Sequence, residues 1–144
     1  MSFSTATITL ALVLALCIPA YPAEPAYVAD PEQFSNGFVH ALSTNGSRDA
    51  AKMVADAIGK PDVSDSLQKV LQVFDGKTFD FSKKVVDRDF NNALRQIVVY
   101  SKIANVGFTY FRFNFKMSKA GWILANFLFK DETNELFPKD FITQ

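Results

Sequence analysis

Three sets of residues in this 144-residue chain carry side chains that could do chemistry. His40 is the only histidine. It stands two positions after Phe38 in a helical stretch, so its ring faces either a pocket or solvent. Imidazole is the group suited to proton transfer near neutral pH. Asp87 and Asp89 form the second set, two residues apart and therefore on one face of a candidate strand. If that face lines a cavity, desolvation raises a carboxyl pKa and makes a general base, with Asp89 as the candidate. On a solvated edge the same carboxylates would pair with Lys84, Arg88 or Arg95 instead. The third set is Tyr100, Tyr110, Arg112, Asn114 and Asn126. Tyr110, Arg112 and Asn114 share one strand face, and Asn126 lies on the next strand. Polar groups converging on an apolar sheet suit a ligand site, and the planar Arg112 fork suits an anion. The same face is also readable as the half-solvated outside of the sheet, or as a dimer interface, where Tyr and Arg are enriched.

Other chemistry lacks its parts. There is no glycine-flanked serine elbow, phosphate loop or dinucleotide fingerprint. A single histidine excludes a histidine metal cluster, and the carboxylates are not at ligand spacing. No cofactor or metal is expected. Net charge is zero, which gives no bulk preference for nucleic acid. The basic residues of the aromatic strands alternate with the rings rather than share their face, so no stacking platform for single strands forms and no nucleic-acid partner is expected. Charge is nonetheless segregated. Acids outnumber bases nine to five from Glu24 to Asp80, and nine bases face Asp87 and Asp89 between Phe81 and Lys130. That division hints at a small anionic ligand or at electrostatically matched layers.

The elements that must position these groups are legible from periodicity. Asp30 caps a helix with Pro31 at its first position and Glu32 in the first turn, running to about Thr44. A second helix starts at Ser47 or Asp49 and ends at Gly59-Lys60-Pro61. A third starts at Asp62 or Ser64, with Leu67, Val70, Leu71 and Phe74 at helical spacing facing inward. After Gly76 the period changes to two. Phe79-Asp80-Phe81 is a short extended piece, and Lys83–Phe90 turns at Asn91-Asn92 into Leu94–Lys102. Two long aromatic strands follow, Phe108–Met117 and Trp122–Lys130. Their alternation puts Thr109, Phe111, Phe113, Phe115 and Met117 on a buried face, with Phe113 and Trp122 as core. Helices first and a meander of about four strands second make an α+β fold, three helices packed on a curved antiparallel sheet. Hydrophobic content of 49% is ample for one such core.

The N-terminus reads as an export signal over residues 1–23. Ile8–Ala20 is an apolar run near 13 residues, short of the roughly 20 that span a bilayer. Cleavage falls after Ala20 or after Ala23, and no lysine or arginine precedes Arg48. Removal of this leader takes Cys17 with it, leaving neither disulfide nor thiol nor a stable membrane anchor. A bacterial periplasmic or secreted location follows from export without disulfides. Residues 24–30 read as a linker, and 31–144 as a single domain.

The element order, the long aromatic strand and the turn Lys119-Ala120-Gly121-Trp122 leading into the last strand resemble the nuclear transport factor 2-like, cystatin-like superfamily. The chain is similar in particular to small exported members of uncharacterised activity. The resemblance covers about residues 31–138. It implies a sheet curled into a cone, a pocket between sheet and helices that takes a small anionic or apolar ligand, and a homodimer through the sheet. Members include isomerases, dehydratases and many binding domains. No catalytic motif of an enzymatic member matches here, so the resemblance favours a binding or interaction domain. A small pocket enzyme with an aspartate base is the alternative.

Overall fold

The computed structural model describes residues 24–131. The leader assigned to 1–23 and the tail 132–144 lie outside the described residues. Helix α1 spans Pro31–Thr44 and begins as its sequence dictates. Asp30 is extended, and its Oδ1 accepts the Glu32 and Gln33 amides at 2.7 and 3.2 Å. These are two of the donors that a helix start leaves without intrahelical partners.

Helix α2, Ser47–Ile58, follows Gly46, which offers no side chain to cap it. The cap comes from Asp75. Its carboxylate accepts the Ser47 amide at 2.6 Å and the Ser47 hydroxyl at 2.7 Å, tying the start of α2 to the end of the helical layer. Gly59 closes α2 at φ +80, in the left-handed region where glycine is unstrained. Helix α3 is Ser64–Leu71, flanked by 3-10 turns at Pro61–Val63 and Gln72–Phe74. Leu71 and Phe74 are buried, but Val70, expected inward, is 56% exposed. Leu67, Leu71 and Phe74, at i, i+4 and i+7, form the inward stripe, and Val70 falls outside it.

Strands β1 (Phe79–Phe90), β2 (Leu94–Ile103), β3 (Gly107–Ser118) and β4 (Gly121–Asp131) form one antiparallel sheet in sequential order. The two extended pieces expected before Asn91 are one strand. Its register with β2 shifts between Phe79 and Phe81 and again between Lys84 and Val86. Those bulges had hidden a continuous strand. Asn91 and Asn92 both take left-handed φ, 54° and 55°, in the three-residue connection 91–93, where the Ala93 amide donates to Phe90 O at 3.0 Å.

The helices cover one face of this sheet. Ile97, Val99, Phe111, Phe113, Phe115 and Leu124 point from it into the core, as the alternation predicts. Met117, assigned to the same face, is 43% exposed at the end of β3. Phenylalanine rings fill the space between layers. Phe38 meets Phe111, Phe113 and Phe127 at 5.6, 5.4 and 4.8 Å, and Phe74 meets Phe111 and Phe129 at 5.6 and 5.5 Å. Phe34 sits edge-on to Phe113 and Phe115 at 6.2 and 5.9 Å. Edge-to-face pairs of this kind contribute about 0.5–1.5 kcal/mol each beyond the area they bury.

The stretch read as a linker is also held. The Ala26 amide donates to Asp56 O and the Val28 amide to Trp122 O, each at 2.8 Å. Val28 is buried beside Trp122, so these residues extend the β4 edge by a single bridge. Among the described residues no helix is long and apolar enough to cross a membrane.

Candidate functional site

The five residues of the proposed ligand face do share the sheet face opposite the helices. Tyr100 pairs with Tyr110, and Asn114 with both Gln96 and Asn126. Gln96 Nε2 donates to Asn114 Oδ1 at 3.1 Å. Tyr100 stacks parallel on Phe108 at 4.9 Å and lies 4.7 Å from Tyr110. Tyr110 is nonetheless buried, forming with Val98 a second small apolar cluster against Val86 and Tyr100. This is a packed aromatic surface rather than a cavity. Its margins do expose Phe81, Phe90, Leu94 and Leu128.

Asp89 takes a structural position at the far end of β1. Its Oδ1 accepts the Asn92 amide at 2.7 Å and so steadies the hairpin turn. Asp89 is exposed, so its carboxylate serves the turn rather than lining a cavity.

Asp87, two residues earlier, faces the helices. Both its oxygens take the Arg95 fork, Nε and Nη2 at 2.9 Å each, and Oδ2 also accepts Lys84 Nζ at 2.8 Å. Lys84 reaches on to Glu32 of α1 at 2.8 Å, so two cations and two carboxylates clasp the start of α1 to the sheet edge. The Arg95 bond, then Lys84, hold the Asp87 carboxyl down at about 2, the opposite of a general base. Lys84 and Arg95 are raised by the same contacts, Asp87 first. Of the three cations the sequence offers as partners, Lys84 and Arg95 bond this aspartate, whereas Arg88 pairs with Gln96 on the other sheet face. Glu32 was seen only as a helix-start residue.

His40 falls somewhere else, in a cleft of about 340 Å³ between α1 and β1. Asn36, His40 and Ser43, at helical spacing, form one wall. The other is the unbroken run Phe79–Lys84, and the floor is Val39 and Val99. Ser82 shares a 2.8 Å hydrogen bond with Ser101, and the Ser43 hydroxyl donates to His40 O at 2.9 Å. Among the described residues no carboxylate bonds the His40 ring, and neither serine bonds to it. Nor do three or more metal-ligating side chains converge among the described residues.

No protein-family model and no curated protein matches this chain.

Proposed function

We propose that this chain is a small exported interaction module that works through its surface. In architecture we assign it to the nuclear transport factor 2-like, cystatin-like group, with a sheet curved over a filled interior. The observation that carries this reading is the phenylalanine packing between helices and sheet. An enzyme or carrier of that group needs an enclosed cavity, and here rings at 4.8–6.2 Å occupy that space. The two carboxylates weighed as general bases are committed, Asp87 to an ion pair and Asp89 to a turn, which leaves the polar α1–β1 cleft and the outer aromatic face for recognition. A homodimer through that outer face is the second reading, favoured by the exposed Phe90, Leu94 and Leu128 at its margin.

The test is native mass spectrometry of protein purified gently from its own host. A discrete complex with another polypeptide, or a dimer, is the expected result. A retained small molecule, with turnover lost in Asp89→Asn while the fold persists, would replace this reading by the aspartate-base enzyme. N-terminal sequencing checks export separately: the mature chain should begin at Tyr21 or Glu24.

A further inference from the structure

We infer that the α1–β1 cleft binds a short extended peptide bearing a carboxylate, by adding it as a strand to the free edge of β1. The inference rests on the interaction-module reading and gives it a site and a partner class. Six consecutive residues, Phe79–Lys84, line the cleft. Side chains of a strand alternate between faces: Ser82 and Lys84 pair with core-facing Ser101 and Val99, whereas Phe81 and Lys83 pair with outward Lys102 and Tyr100. Residues of both faces line one wall only if that wall is the backbone edge between them. β1 pairs with β2 alone, so this edge presents amides and carbonyls with no sheet partner among the described residues. Exposed edges of this kind accept an added strand.

The bulges delimit the docking segment. Register is regular from Phe81 to Lys84, interrupted on either side, so about four residues of partner can pair before β1 turns away. A helix forms the second wall, and Asn36, His40 and Ser43 supply donors and acceptors toward the added strand. Charge sets the polarity. Lys83 is exposed and makes no ion pair among the described residues, and the Lys84 ammonium spends two of its three donors on Glu32 and Asp87. Those two carboxylates offset the Lys84 charge, so Lys83 supplies the uncompensated cation at one end of the run, with Asp80 at the other, which favours a carboxylate beside Lys83.

Phage-displayed random nonapeptides, panned on the full chain, provide the probe. His40→Trp and Asn36→Trp serve as counter-targets. Both positions are exposed on α1, and folding of each variant is checked by its melting curve. Enriched peptides should carry an acidic residue or depend on a free C-terminus. Synthetic versions should bind the two variants at least about tenfold more weakly and protect the Phe81–Lys84 amides from hydrogen exchange. Replacing Glu or Asp by its amide, or amidating the C-terminus, tells which carboxylate is read. Peptides that bind parent and both variants equally, or that protect only Gln96–Asn114, would overturn the cleft and leave the interaction module standing. No enrichment, beside a native complex with another protein, would likewise remove the cleft. No enrichment and no complex would remove both.

Discussion

Asp87 shows how a single side chain decides between catalysis and clamping. Its carboxyl titrates at about 2 in the folded chain against an ordinary 3.8, because Arg95 and Lys84 bond to the charged form. A depressed carboxylate stabilises the fold above its unfolded pKa, and that contribution fades as pH falls from about 4 through about 2. The group is partly solvated, so solvent screening reduces the effect to about 1–2 kcal/mol. Asp87→Asn should therefore cost about that much at pH 7 and flatten the acid limb of a urea-midpoint against pH curve. A variant whose acid limb matched the parent would show that the clasp contributes nothing. Phe113 tests the opposite kind of residue. It is fully buried among Phe34, Phe38, Phe115 and Phe127, so Phe113→Ala should cost about 3–5 kcal/mol in urea denaturation. Trp122→Ala belongs in the same range, and losses under about 1 kcal/mol for either would undo the facing assigned to β3 and β4.

At the scale of elements, the join between the N-terminal segment and α2 makes a sharper prediction. Gly59 has φ +80, and a Cβ there would stand 3.1 Å from the backbone N and Cα of Pro25. Gly59→Ala thus combines left-handed strain, about 1–2 kcal/mol, with a clash that flexible side-chain motion cannot relieve. Hydrogen exchange should speed up at the Ala26 and Val28 amides, which hold this segment to α2 and β4. Unchanged exchange at both would mean that the segment docks independently of Gly59. Gly59 was legible as the end of α2, but the docking was not: Pro22, Pro25 and small residues read as a linker, because a lone bridge leaves no periodicity. The long strands were legible for the reverse reason: in β3 a ring at every second position admits one pleat. β1 was read in two pieces because its bulges break the alternation. The cleft was invisible for a related reason. Its walls come from positions about 40 residues apart, and polar residues such as Asn36 and Ser43 carry no pattern of their own. His40 was noticed as the only histidine, but nothing local said which way it faced.

For the whole molecule, the filled interior has a consequence that separates a surface binder from a carrier. A carrier or enzyme that encloses its ligand needs several hundred Å³ of enclosed space. The rings of α1 (Phe34, Phe38), the Phe74 turn, β3 (Phe111, Phe113, Phe115) and β4 (Phe127, Phe129) interlock across both layers instead. Solvent extraction of the purified protein should release no apolar small molecule, and benzene should leave its melting temperature unchanged. Phe113→Ala supplies the positive control. The cavity it opens would be lined by the remaining rings, and such dry apolar voids take up benzene. The variant should therefore recover part of its lost melting temperature when benzene is added, by the linkage between ligand binding and stability. Benzene stabilisation of the parent equal to that of the variant would mean that the layers already enclose an open site. In that case the proposed surface function would give way to a pocket.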